Sequence, residues 1–193
     1  MRWLLVGALL AETLPVRKRL QGERRLGRRL VTGRLGGVEV GVLRCGVGPR
    51  RALARTREAL DVFEAEAVVS FGTAGSLVDH LGVGAVVCTT GWGGVRRARC
   101  ITVRRGVFDP ARRAELAAQG FEIVEMEASA VEEASGARAF YGLKVISDLA
   151  SVPPTRFGFA LHAWRICSDR LAPTLEKLVV EETSLGRSTS EEA

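Results

Sequence analysis

The chain has 193 residues, 47% of them hydrophobic and 26% charged, which suits one domain able to bury a core without disulfides or a metal. No apolar run approaches the roughly eighteen residues that span a bilayer, and the apolar start, Met1 to Leu10, lacks the basic region and small-residue cleavage site of a signal peptide, so a cytoplasmic protein without membrane attachment is expected. The net charge of +6 is almost wholly arginine, with lysine only at Lys18, Lys144 and Lys177, and it shows no patch with aromatic docking elements that would argue for nucleic acid.

Arg2 to Ala8 reads as a buried strand, and a helix follows weakly from about Ala11 to Leu20. Leu30, Val31, Leu35, Val38, Val40 and Val42 alternate with polar or glycine positions around Gly36-Gly37, a hairpin signal. Cys45-Gly46-Val47-Gly48-Pro49 forms a glycine turn whose proline suits a first helical turn, and Arg51 to Phe63 carries Leu53, Leu60 and Phe63 at helical spacing. Ala65 to Phe71 is a second buried strand, stopped by Gly72-Thr73-Ala74-Gly75-Ser76. Val83 to Thr90 is a strand, Gly91 to Arg99 a turn or loop, and Ile101 to Arg104 a short strand. Asp109 caps a helix over Pro110 to Ala118. A strand over Phe121 to Glu125, a helix over Ala128 to Ser135 and a strand over Phe140 to Ser147 follow, and a helix from Phe157 to Glu181, interrupted or kinked near Pro173, closes the domain. This alternation predicts an α/β single domain, residues 1–182, with a mixed, largely parallel central sheet flanked by helices, followed by a flexible polar tail, 183–193. Cys45, Cys88, Cys100 and Cys167 make no C-x-x-C pair and read as reduced core or strand residues.

Ligands of open α/β sheets bind beyond the carboxyl ends of the strands. Four segments meet that condition: Glu12, Gly72 to Gly75, Glu125-Met126-Glu127, and Ser147-Asp148. Carboxylates converging on one cleft repel one another and raise at least one pKa, which allows an acid and a base to share a site near neutral pH. Each segment also has a structural reading. Glu12 suits the positive end of a helix, Glu125 and Glu127 an acidic helix start, Asp148 a cap, and Gly72 to Gly75 an ordinary turn.

Taken together, GALLAE at 7–12, GVG at 46–48, FGTAGS at 71–76, VEMEASA at 124–130 and ISD at 146–148 resemble the nucleoside phosphorylase and nucleosidase superfamily, most of all the methylthioadenosine/S-adenosylhomocysteine nucleosidases. The VEMEA run followed by ISD is the most specific part. The resemblance implies a nucleoside phosphorylase-like fold and hydrolysis of the N-glycosidic bond of a purine nucleoside, with water as the nucleophile, no metal and no cofactor. It implies that Glu12 activates the water and Asp148, supported by Ser147, serves the leaving base. Glu127 then holds the ribose hydroxyls, Met126 packs on the sugar, Thr73 belongs to the substrate-binding turn, and Phe108 stands where the family stacks an aromatic on the purine or else joins the core.

Three departures bear on this expectation. Ser70-Phe71 stand where phosphorylases of the superfamily carry a phosphate-binding arginine, which favours water, whereas Arg44 and Arg50 near the other glycine turn keep phosphorolysis open. Lys144 replaces an arginine near the sugar. The segment 88–100 is short, so the pocket for the 5′ substituent is expected to be open, as suits a methylthioadenosine-like or a bulkier nucleoside; a non-catalytic nucleoside-binding protein is the remaining alternative. Val87, Trp92 and Val95 look like exposed apolar residues, from which a homodimer is expected.

Overall fold

Every residue of strand β1 (Trp3–Gly7) is buried, because its side chains alternate between two cores. Trp3 and Leu5 join the core on one face of the sheet, and Leu4 and Val6 the core on the other. A run that is apolar on both faces marks a central strand. The computed structural model describes residues 1–149 and 159–191. After β1 come α1 (Leu10–Arg17), β2 (Gln21–Arg25), β3 (Leu30–Leu35), β4 (Val38–Arg44), α2 (Pro49–Val62), β5 (Ala67–Ser76), β6 (Val86–Cys88), β7 (Arg96–Arg97) and β8 (Cys100–Thr102). The chain continues through α3 (Pro110–Ala118), β9 (Ile123–Glu125), α4 (Ala128–Ser135), β10 (Ala139–Asp148), α5 (Phe159–Ile166), a π-helical turn over Cys167–Leu171, and α6 (Ala172–Glu191).

The strands form one sheet in the order β2-β3-β4-β1-β5-β10-β6-β7, with β9 paired to the far end of β5 and β8 to β9. The four central strands, β4, β1, β5 and β10, run parallel. The β2–β3 and β3–β4 hairpins and strand β6, paired to β10, are antiparallel additions. One face is covered by residues of α1, the π turn and α6 (Val16, Leu171, Leu175, Val179), the other by residues of α2 and α4 (Ala52, Leu60, Val131). This is the single α/β domain with a mixed, mostly parallel sheet that the alternation of elements predicts.

Several boundaries differ from expectation for identifiable reasons. Strand β5 does not stop at Gly72 but runs to Ser76, because β10 pairs with it as far as Gly75 and β9 pairs with Gly75 and Ser76. The closing helix is interrupted near Pro173, as expected, by the π turn just before it, where the missing N–H cannot continue the α ladder. Phe157, its expected start, lies outside the described residues. Its other end is not at Glu181: α6 continues to Glu191. Thr183, placed by the sequence reading in a tail, is buried and accepts a hydrogen bond from the Trp3 indole at 2.9 Å.

The apolar residues of the short segment also need correction. Val87 is fully buried, Trp92 is 9% exposed, and Trp92 and the partly buried Val95 pack into the main core rather than onto a partner. The Gly91–Arg99 loop folds inward because Trp92 and Val95 bridge each other and β7 pairs with β6. Trp92→Ala is therefore expected to cost about 2–3 kcal/mol of stability and to leave the sedimentation mass unchanged. A lower mass at unchanged melting temperature would return Trp92 to an interface.

Candidate active site

The carboxyl ends of β1 and β5, the VEMEA segment and the end of β10 surround a cavity of about 360 Å³. Glu12, Thr73, Phe108, Met126, Glu127, Ser147 and Asp148 all line it, so the structure brings together every residue singled out from the sequence. Val47, Val103, Val107 and Val124 supply apolar walls. Phe108, rather than joining the core, is 56% exposed at the rim, and a Cβ on Gly106 would meet its ring at 2.9 Å.

Glu12 is held at both ends of its carboxylate. Oε2 accepts the N–H groups of Ala8 and Leu9 at 3.1 and 2.9 Å, the first-turn role that its sequence position allows. Oε1 accepts the backbone N–H and the hydroxyl of Thr73 at 2.8 and 2.9 Å. The carboxylate thus bridges β1 and β5 and lies directly over Gly72. That residue has φ +152°, and a Cβ there would sit 2.8 Å from Glu12 Oε1. Gly75 is required for a matching reason: its Cβ would lie 2.9 Å from Asp148 Oδ2. The GTAG run is a stretch of strand with two places left open for two carboxylates.

Asp148 reaches the cavity through an irregularity in β10. The register with β5 shifts between Ile146 and Asp148, so that Asp148, not Ser147, pairs with Gly75. Ser147 Oγ lies 2.8 Å from Asp148 Oδ1 and 3.3 Å from the Ala74 carbonyl. The opposite oxygen, Oδ2, is bound by the Arg113 guanidinium in a buried ion pair. Arg113 also donates to the carbonyls of Val107 (2.8 Å), Leu149 (2.7 Å) and Ser76 (3.3 Å). Sequence reasoning missed this residue. The available signal was its spacing: Arg113 and Leu116 are the two buried positions of α3, three residues apart on one face, while its neighbour Arg112 faces outward to Glu115.

The two glutamates of VEMEA have separate tasks. Glu125 is buried in an ion pair with Lys144, whose Nζ lies 3.0 Å from Glu125 Oε2 and 3.0 Å from Ser70 Oγ. It also accepts the Thr102 hydroxyl and the N–H groups of Glu127 and Ala128, so it anchors the start of α4. Burial pushes its pKa up, but Lys144 and these donors more than offset that and hold it below the usual carboxylate range. For Lys144 the same pairing overcomes desolvation and raises its pKa. Glu127 instead turns toward the cavity, accepting only the Gly48 N–H at 2.7 Å. Burial, with repulsion from Glu125 and Glu12, outweighs Gly48 and Lys144 and pushes its pKa up to about 7. Burial, helped by the neighbouring carboxylates, thus raises the proton affinity of the one carboxyl of this pair that faces the cavity.

Among the described residues that line the cavity, Arg113 is the one cation, and its guanidinium is engaged by Asp148 and three carbonyls. Ser70, where an arginine would serve phosphate, instead accepts a hydrogen bond from Lys144. Arg44 lines a different cavity. The cysteines are free, and burial pushes the Cys45 and Cys100 thiols up to about 12, so neither is a nucleophile at neutral pH.

The sequence profile of the phosphorylase superfamily matches residues 4–110. A 5′-methylthioadenosine/S-adenosylhomocysteine nucleosidase of Desulfotalea psychrophila is 34% identical over 59 residues, a match spanning 31% of this chain and 25% of that protein. Among solved structures, the nucleosidase of the same name from Colwellia psychrerythraea, in complex with adenine, superposes with a TM-score of 0.77 at 19% identity, over 92% of this chain and 96% of that one. Futalosine hydrolase of Helicobacter pylori superposes with a TM-score of 0.78 at 17% identity, over 94% and 98%.

Proposed function

The chain belongs to the phosphorylase superfamily, and on that premise we propose that it hydrolyses the N-glycosidic bond of a purine nucleoside, of the 5′-methylthioadenosine/S-adenosylhomocysteine type or with a bulkier 5′ substituent. The observation that carries hydrolysis over phosphorolysis is the lack of an available cation among the described lining residues, since Arg113 is already engaged. A phosphate dianion would enter beside Glu12 and Glu127 with no counter-charge, whereas water needs only an acceptor.

In this reading the bond from the sugar to the base breaks with its electron pair leaving on the purine, and the ribose develops oxocarbenium character. Glu12, fixed by its four donors, takes a proton from the attacking water. Asp148 faces the base and delivers a proton to the departing purine, so that the base leaves neutral and the proton gained by Glu12 balances it. Ser147 has one hydroxyl proton and two acceptors within reach, Asp148 Oδ1 and the Ala74 carbonyl, so rotation of that hydroxyl toward Ala74 frees Oδ1 for a purine nitrogen. Arg113 keeps Oδ2 in place meanwhile. Met126 and Phe108 flank the nucleoside, and Glu127 accepts the ribose hydroxyls. Release of free base from methylthioadenosine, S-adenosylhomocysteine, adenosine, inosine and futalosine, each with and without phosphate, tests the proposal. Turnover that requires phosphate would overturn it.

Glu127 must be ionised to accept two hydroxyls, so KM for ribosides is expected to fall as the pH rises through about 7. Glu127→Gln removes that limb and weakens ribosides by about tenfold or more relative to 2′-deoxyribosides, which have one bond fewer to lose. Equal losses on both sugars would make Glu127 structural. A cytoplasmic homodimer belongs to the same reading: no described helix is long and apolar enough to cross a membrane, and Val47 and Phe108 are exposed at the rim of the cavity, where a second copy would cover them. Sedimentation at micromolar concentration decides the dimer.

A further inference from the structure

Leu10, Thr13 and Arg17, one stripe of α1 at i, i+3 and i+7, face a second cavity of about 230 Å³. Arg25, Arg28 and Arg29 of the β2–β3 hairpin, Val31 and Val42 from paired positions of β3 and β4, and Arg44 complete it. It shares no lining residue with the cavity that holds Glu12 and Asp148. Five guanidinium groups therefore converge on a small concavity floored by buried valines. Glu23, on the same hairpin but not among the lining residues, spends both oxygens on Arg17, at 3.1 and 2.6 Å. Among the described residues, no ion pair or side-chain hydrogen bond reaches Arg25, Arg28, Arg29 or Arg44.

Like charges gathered without acceptors repel one another, and the low-dielectric floor sharpens the cost. The missing component is an anion. Guanidinium groups arranged as forks match phosphate oxygens in pairs, and five of them around this volume exceed what a single phosphate group engages. We propose that this cavity is a binding site for a small diphosphate-type polyanion, separate from the nucleoside cleft and on the neighbouring stripe of α1. Bound there, the anion takes no part in displacement at the sugar. It ties the hairpin to α1 and to the end of β4, and so stabilises the folded protein by mass action.

The test uses the full chain with inorganic diphosphate as the probe. Calorimetry at low salt is expected to show one saturable site per chain, weakening steeply as salt rises, with a higher melting temperature when the site is filled. Arg28→Ala and Arg29→Ala alter exposed side chains, and each is expected to raise Kd by about tenfold or more while base release from a nucleoside stays unchanged. Adenine should not compete. Three results would overturn the proposal: no saturable binding, an affinity unaffected by both variants, or displacement by adenine. An RNA oligonucleotide that binds through the same arginines while diphosphate alone does not would assign the cluster to nucleic acid and also overturn it.

Discussion

Asp148→Asn is expected to lower turnover by roughly 10²–10⁴, the usual contribution of a positioned acid or base. The loss should fall on kcat, since the apolar walls and Glu127 still hold the nucleoside. Two effects combine in this variant and have to be separated. The amide can no longer exchange a proton with the base, and the buried Arg113 loses the full charge of its partner. The second effect is read as melting temperature, the first as turnover of the remaining folded enzyme. Ser147→Ala serves as the control: it removes the rotor but leaves the ion pair, so it should lose activity with little change in stability. An Asp148→Asn enzyme with normal kcat would remove Asp148 from the reaction and leave it a partner of Arg113 alone.

Lys144→Met carries the largest expected effect on stability. Its ammonium neutralises Glu125 at a site where both side chains are almost wholly inaccessible, 2% and 1% exposed. Removing one member of such a pair costs about 3–5 kcal/mol, or roughly 6–20 °C in melting temperature for a chain of this size. The sign of the pH dependence distinguishes a stranded charge from a simple packing loss. In the wild type the Glu125 pKa is lowered, so its stabilisation is complete above the ordinary value of 4.5 and is lost as the pH falls through the folded-state value. Without Lys144, burial, the largest influence on Glu125, is opposed only by the Thr102 hydroxyl and the backbone donors and raises that pKa, so the variant recovers stability as the pH falls. A deficit independent of pH would mean that Glu125 keeps another counter-charge. Lys144→Met combined with Glu125→Gln should recover part of the loss, because the amide oxygen still accepts from the start of α4.

Which parts of the molecule could be read in the sequence follows from how local their causes are. α3 and α4 match their expected bounds because their start signals lie just ahead of them in sequence: Asp109 bonds the Ala111 N–H, and Glu125 holds the first turn of α4. β1 and the strand after Ala65 were legible because a run buried on both faces needs no partner to be recognised. β2 was not legible, since all five of its residues are exposed and its only signal is the pairing with β3. The extension of β5 through Gly72 to Ser76 was hidden because glycines that usually mark a turn serve here to admit side chains from elsewhere. Trp92 misled for a related reason: flanking glycines suggest an exposed loop, and only the tertiary fold shows that the ring turns inward. At the site, six of the seven candidate residues lie in the motifs that single them out, Phe108 lies in none of them, and Lys144 is marked by its departure from the pattern. Arg113 carried a weaker signal: its spacing of three from Leu116 sets it, rather than Arg112, on the buried face of α3, but nothing within α3 points to Asp148 on another element.

The spacing of the two open places in β5 bears on stereochemistry. Gly72 and Gly75 are three strand residues apart, which is about 10 Å along the chain. The carboxyl groups of Glu12 and Asp148 that fill those places are thus set apart by the backbone of one rigid strand. Paired carboxyls about 5 Å apart suit direct attack on the sugar and retention, whereas a wider separation leaves room for a water molecule on the face opposite the departing base. Under the proposed function this spacing predicts single displacement with inversion at the anomeric carbon, so a β-nucleoside should release its sugar first as the α-anomer, readable by proton NMR before mutarotation. Alanine at Gly72 or Gly75 would not merely crowd the cleft; it would push one carboxyl off this scale and leave the stereochemical course unspecified.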